Sequence, residues 1–246
     1  MELTTEFLKT RQFDYTVSPP EEKRILTIRD HLILSRSNFA LITGSPKVGK
    51  STFTTCLLAS AIANREIFNM RIHCHQDKQN ICLFDTEQAQ QDLYKSINRI
   101  MYLAQCKPAN KFDVYSLRRD DATIIKTLLE IYIQENPETG LIIIDGLLDL
   151  VFNFNDEKEC KILIDYLKRV TAENDIAIIG ILHTGKTTGS SVGHIGSFAD
   201  RYCQSNLEIY KENDTINLKG KLLRSAPDFE RISLMRDANG NLFQTV

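Results

Sequence analysis

Short apolar runs alternate along the chain with stretches in which apolar residues recur at helical spacing. That alternation predicts an α/β fold: a mostly parallel central sheet whose strands are joined by flanking crossover helices. Residues 38–43 read as a strand and 49–64 as the helix leaving it, with Val48, Phe53, Leu57, Leu58, Ala61 and Ile62 along one side. A second buried strand is read at 81–84, followed by a helix over 88–103, and 71–75 reads as an extra strand hairpinned onto it through 76–80. A strand at 112–115 precedes a helix over 122–134, which stops ahead of Asn136-Pro137 because a residue before proline disfavours the helical region. Residues 141–144 are uninterrupted aliphatics, as expected of a strand covered on both faces. A helix over 158–173 then leads to a strand at 176–182.

Beyond that strand the texture changes. Residues 184–196 are rich in Gly, Ser and Thr and read as a mobile loop, while 206–210, 215–222 and 231–235 read as a C-terminal antiparallel hairpin extension. No internal repeat or long linker interrupts the chain, so 1–24 is taken as an N-terminal extension and 25–246 as one domain.

Composition narrows the class without naming a partner. A chain of 246 residues with ordinary apolar and charged fractions can bury a full core, which argues against disorder as its main state. A formal charge of −2 gives no global attraction to nucleic acid or anionic membrane, so any DNA contact must come from a local cluster or an assembled ring. The cysteines at 56, 74, 82, 106, 160 and 203 form no CxxC pair and read as buried thiols of a reducing compartment. His73-Cys74-His75 offers two imidazoles from one strand face, but no second ligand pair stands at metal-site spacing. Residues 1–11 lack the apolar stretch of a signal peptide, and no run approaches the roughly 18 apolar residues of a membrane span. A cytoplasmic protein with no membrane partner is expected.

The chemistry concentrates in a few motifs. Gly44-Ser45-Pro46-Lys47-Val48-Gly49-Lys50-Ser51 follows a strand and opens a helix, the context that makes GxxxxGK[ST] a phosphate-binding loop. Its glycines let main-chain N–H groups wrap phosphates at a helix N-terminus, Lys50 reaches the terminal phosphates, and Ser51 is placed to ligate Mg2+. Two readings stand for Thr52, a nucleoside-side contact or a structural one, and two for Lys47, a further phosphate contact or a solvated cation. Asp145 closes the aliphatic strand 141–144 in a Walker B pattern, where a carboxylate holds Mg2+ through water. The expected ligands are therefore ATP and Mg2+.

Three further groups carry two readings each. In Asp85-Thr86-Glu87-Gln88, Glu87 is either the general base for an attacking water, since Gly146 and not an acid follows Asp145, or part of a helix-capping box. His183, at the end of a buried strand, is either a sensor of the terminal phosphate or a structural histidine. Lys221 and Arg224 are either cations that complete a neighbouring subunit's site, as an arginine finger does, or a solvated hairpin.

Taken together, the order of these motifs resembles the RecA-like P-loop ATPases, and within them plasmid RepA-type hexameric helicases and the AAA-type ATPases of mobile elements. The resemblance is carried by Asn38-Phe39-Ala40-Leu41-Ile42-Thr43-Gly44, Asp85-Thr86-Glu87-Gln88, Ile144-Asp145-Gly146 with Asp149, Leu182-His183, Gly193-His194-Ile195-Gly196-Ser197 and the stretch 221–229. It spans about residues 25–240 and implies ATP hydrolysis at the subunit interfaces of a homo-oligomeric ring, with central loops on single-stranded DNA. Two stretches depart from it: Asn153-Phe154-Asn155-Asp156-Glu157-Lys158-Glu159 is net acidic, and 185–194 holds one lysine, one histidine and no aromatic. An ATP-driven assembly protein and, more distantly, a small-molecule kinase are the alternatives; Arg118-Arg119 is the one adjacent arginine pair available for a kinase lid.

Overall fold

The computed structural model describes residues 4–184, 193–238 and 240–245. A short helix, α1 (Thr5–Lys9), buries none of its side chains, and residues 10–23 follow without helix or strand. Two apolar runs then pair as an antiparallel hairpin, β1 (Arg24–Ile28) and β2 (His31–Ser35). Its two-residue turn, Arg29-Asp30, has φ of 47° and 64°, the geometry that matches the twist of the strands it joins. Arg29 is not a usual occupant of such a turn and no glycine stands in it, so the sequence pattern passes over the hairpin.

The alternating part of the chain begins with β3 (Phe39–Gly44) and α2 (Lys50–Ala63), then β4 (Met70–Ile72), β5 (Asn80–Asp85) and α3 (Gln90–Ala104). It continues with β6 (Phe112–Ser116), α4 (Ala122–Glu135), β7 (Thr139–Asp145), a 3-10 turn at Leu147–Leu150, α5 (Glu157–Asn174) and β8 (Ala177–His183). After α6 (Gly193–Tyr202) come β9 (Ser205–Glu212), β10 (Thr215–Leu223), β11 (Ile232–Arg236) and β12 (Leu242–Thr245).

The main sheet has the order β12-β11-β10-β9-β3-β8-β7-β5-β6. From β9 to β6 neighbouring strands run parallel, and β9 to β12 are joined antiparallel, which is the expected C-terminal hairpin extension. Strand pleating divides the core between the two faces. In β7, Leu141 and Ile143 pack with α2, α3 and the β1 hairpin, whereas Ile142 and Ile144 pack with α4, α5 and α6.

Two expectations need correction. The strand expected at 71–75 is shorter, and β4 pairs with β1 in a separate sheet of order β2-β1-β4. It cannot pair with β5, which already has β6 and β7 on its two edges. The loop expected over 184–196 is cut short by α6, where Ile195 and Ala199 turn into the core; the expectation for 185–192 lies outside the described residues.

All six cysteines are free, but only Cys56, Cys82, Cys160 and Cys203 are buried; Cys74 is half-buried and Cys106, just past the end of α3, is exposed. His73 and His75 bond to Thr27 and to the Arg24 carbonyl, and no metal-holding cluster is found among the described residues. No helix among them is long and apolar enough to cross a membrane.

Candidate functional site

Four parallel strands end at one rim of the sheet, and their register places the candidate residues side by side. Gly44 of β3 pairs with His183 of β8, Asp145 of β7 pairs with Ile181 of β8, and Asp85 of β5 pairs with Asp145. β8 thus lies between the strand that enters the loop and the strand that ends in Asp145.

From Gly44 the chain turns through 45–49 into α2. Lys47 and Gly49 take φ of 65° and 106°, and a Cβ on Gly49 would lie 2.7 Å from Ile216 of β10, so both conformation and space require glycine there. Gly49 is the N-cap of α2 and no side chain caps it, which leaves the positive end of the helix to an anion. Lys50 Nζ donates to the Gly44 and Ser45 carbonyls (2.9 and 3.0 Å) and stands 2.9 Å from His183 Nδ1. Burial pulls its pKa down, and the charges of Glu87 and Asp145 oppose that shift. Ser45 Oγ lies 3.3 Å from Thr184 Oγ1, tying the loop to the end of β8.

Because an ammonium can only donate, His183 Nδ1 accepts from Lys50, and Nε2 carries the proton that reaches Glu87 Oε1 at 2.9 Å. That hydrogen bond, more than any other influence, holds the Glu87 carboxyl below its ordinary range. Asp145 behaves in the opposite way: burial first, then the neighbouring Asp85 and Glu87, push it up to about 7. Asp85 is also raised by its burial, and it accepts from the Gln88 backbone N–H at 2.7 Å.

The turn after β7 is locked to the turn after β5. Thr86 donates from both its backbone N–H (3.0 Å) and its hydroxyl (2.9 Å) to the Asp145 carbonyl. Gly146 has φ of 107°, and a Cβ there would come within 2.0 Å of Thr86 Oγ1. This clamp, in which the single Thr86 hydroxyl proton is shared between the Asp145 carbonyl and the Asp149 carboxylate, fixes Glu87 relative to Asp145.

The far side of the α2 N-terminus opens into a pocket of about 700 Å³ whose lining includes Ser51, Thr52, Arg99, Tyr102, Arg236 and Asn241. Arg236 Nη2 donates to Thr52 Oγ1 at 3.3 Å, which ties the lining of this pocket to the first turn of α2. Arg99 and Arg236 carried no sequence signal, since only the fold brings residues of α3 and β11 to one pocket beside α2. Asp85 was visible in its motif, but its pairing with Asp145 is a matter of strand register.

Lys221 and Arg224 are not brought to this rim. Leu223 pairs with Ser205, which pairs with Ala40 near the start of β3, so Arg224 sits at the opposite end of the sheet from Gly44, while Lys221, between the partners of Leu207 and Asn206, is level with the middle of β3. Lys221 pairs with Asp200 at 3.0 Å, and Arg224 donates to the Arg201 carbonyl.

A parallel sheet with a glycine-shaped loop at a helix N-terminus, a buried lysine in it and a buried aspartate two strands away defines a P-loop nucleoside triphosphatase. The chain belongs to the AAA domain family, whose model matches residues 4–189, and it is an ATPase of the P-loop class. No curated protein matches it. The family implies a bound nucleotide, usually with Mg2+, and the donor set fits: an uncapped helix end and a buried ammonium for phosphate oxygens, hard oxygen ligands at Ser51 and Asp145 for the cation.

Proposed function

We propose that the chain is a RecA-like motor, similar to plasmid RepA-type hexameric helicases and mobile-element ATPases, that hydrolyses ATP in a homo-oligomeric ring and acts on single-stranded DNA in replication or mobilisation of a genetic element. The observation that carries this reading is the position of His183. It bonds to Lys50 on one side and to Glu87 on the other, and it ends β8 directly before residues 184–196. A change at the terminal phosphate would therefore alter a hydrogen bond at the end of β8.

In this scheme Gly44 to Ser51 cradle the phosphates, with Lys50 on the terminal ones, and Thr52 with the Arg99–Tyr102–Arg236 pocket receives the nucleoside. Ser51 and, through water, Asp145 would hold magnesium, which would supply positive charge to the phosphates. Glu87 takes a proton from the attacking water, His183 reports the phosphate, and Lys221 and Arg224 act on a neighbour's site. The position of these two cations supports a role in trans, since neither lies at its own chain's rim.

The DNA assignment draws support from Phe152 and Phe154, exposed on the loop after β7, which offer stacking faces. The loop is stiffened where the Glu159 carboxylate accepts from the Phe152 and Asn153 backbone N–H groups (2.7 and 3.0 Å). Its acidic residues favour the second reading, an assembly ATPase acting on a protein partner. ATP turnover with and without single-stranded DNA, measured beside mass by light scattering, separates the two. Turnover that DNA does not stimulate, with no unwinding, rejects the motor; nucleotide-dependent assembly without DNA affinity supports the alternative.

A further inference from the structure

Lys221 and Arg224 are held in different ways. Between β9 and β10 the ladder runs Gly220 to Leu207 and then Leu222 to Asn206, so Lys221 is the extra residue of a β-bulge. Gly220 makes room for the bend, since a Cβ there would lie 2.8 Å from the Leu223 side chain. A bulge residue leaves the alternation of its strand, and Lys221 Nζ is aimed at Asp200 of α6, 3.0 Å away, with 24% and 22% of the two side chains exposed. Arg224, three residues on, is exposed.

Asp200 is fixed from the other side as well. Its second carboxylate oxygen accepts from the Asn206 side-chain amide, and the Asn206 amide oxygen accepts from the Thr43 hydroxyl at 2.9 Å. Asn206 and Thr43 are fully buried. A carboxylate only accepts, so the Asn206 nitrogen has to face Asp200 and its oxygen is left for Thr43. Asn206 stands opposite Leu222, on the far side of the bulge. The ion pair therefore ties the bulge to α6 and, through Asn206, to the residue that precedes the phosphate loop. The aim of Arg224 depends on that tie. Its backbone N–H donates to the Gln204 carbonyl at 3.1 Å and its guanidinium to the Arg201 carbonyl in the last turn of α6. If the bulge relaxes into a regular ladder, residues 222–224 slip by one position and each side chain turns to the opposite face of the sheet.

We propose that Asp200 and Lys221 are positioning residues: their ion pair pins the β10 bulge and so aims Arg224, and Arg224 alone reaches the neighbouring subunit's nucleotide. This rests on the reading that Arg224 acts in trans, and it divides the work between two cations that look equivalent in the sequence. The charge of Lys221 is answered within its own chain, level with the middle of β3. Arg224 lies at the end of the sheet, and one bond to a carbonyl leaves most of its five donors for an anion.

The test reads the pin and the turnover separately, in the full-length chain. Hydrogen exchange of the 220–226 backbone is expected to quicken about tenfold or more in Asp200→Asn and in Lys221→Met, with exchange over 44–55 unchanged. Unchanged exchange over 220–226 overturns the pin whatever the turnover does. In steady-state ATP hydrolysis each of these variants should lower kcat about tenfold at wild-type KM, Lys221→Arg should retain most of it, and Asp200→Asn/Lys221→Met should be no slower than the slower single variant. Wild-type kcat in either single variant overturns the positioning role. A double variant slowed by the product of the two single effects overturns it too, because Lys221 then touches the nucleotide itself. Arg224→Ala at wild-type kcat rejects the trans reading, and it is told apart from a failed pin because the exchange measurement does not involve Arg224→Ala.

Discussion

Glu87 Oε1 accepts a 2.9 Å hydrogen bond from His183 Nε2, and the same imidazole receives Lys50 on its other nitrogen. The carboxylate proposed to activate water is thus connected through one ring to the ammonium proposed to hold the terminal phosphate. Removing the carboxylate charge while keeping its shape should separate binding from chemistry. Glu87→Gln is expected to slow phosphate release by a factor of about 100 or more while nucleotide affinity stays within a few-fold of wild type. Single-turnover hydrolysis beside equilibrium binding measures both, and retained turnover rejects Glu87 as the base.

Asp145 provides a pH handle. Its carboxyl titrates at about 7 in the metal-free fold, so below that pH a proton competes with a divalent cation. Mg2+ affinity of the ADP-loaded chain should weaken by about tenfold per pH unit below 7, and Asp145→Asn should remove that dependence. The sign reverses for stability. The folded chain keeps this proton up to about pH 7 while the unfolded chain releases it near 4, so the metal-free fold loses stability as pH rises through 7. Thermal melts in chelator at pH 5.5 and 8, with Asp145→Asn for comparison, read this term; a wild-type difference no larger than the variant's contradicts it.

The Thr86 clamp makes Gly146 intolerant of a side chain. Gly146→Ala places a methyl 2.0 Å from Thr86 Oγ1 at a φ of 107°, and the expected cost is about 2 kcal/mol or more. Chemical denaturation should show it directly. A fully stable variant that also turns over normally would mean that the 85–88 turn and the Asp145 strand end move independently.

Much of this site was legible because it is local. The loop from Gly44 to Ser51 and the aliphatic run into Asp145 each announce themselves within a few residues, and the buried strands 38–43, 81–84 and 141–144 lie within a residue or two of β3, β5 and β7. What escaped the sequence is created by packing between distant segments. The Arg29-Asp30 turn holds positive φ without glycine or asparagine, α6 begins inside a stretch of loop-like composition, and Arg236 reaches Thr52 from 184 residues away. The strand expected at 71–75 shows the same limit: a shorter strand, β4, does form there, but which edge it joins depends on β5 having both neighbours already.

The distal cations give a complementation test. Lys50→Ala should abolish hydrolysis in its own chain, and Arg224→Ala should abolish it in the neighbour's site. Mixing the two inactive chains should restore turnover to a fraction set by the interfaces that pair an intact Lys50 with an intact Arg224. A mixture as inactive as its components excludes a finger at Arg224.

Strand β10 joins these two ends of the molecule. Ile216 sits against Gly49 so closely that a methyl group would not fit, and Arg224 follows the other end of the same strand, about 25 Å away, held there by its backbone bond to Gln204. The strand is paired along its length with β9 and, over Ile216–Leu218, with β11, so it links the two ends through backbone hydrogen bonds broken only by the irregularity between Gly220 and Leu222. In the proposed ring, a shift of the phosphate loop in one copy would be passed along β10 toward Arg224, and the order in which neighbouring sites fire would become a mechanical property of the chain.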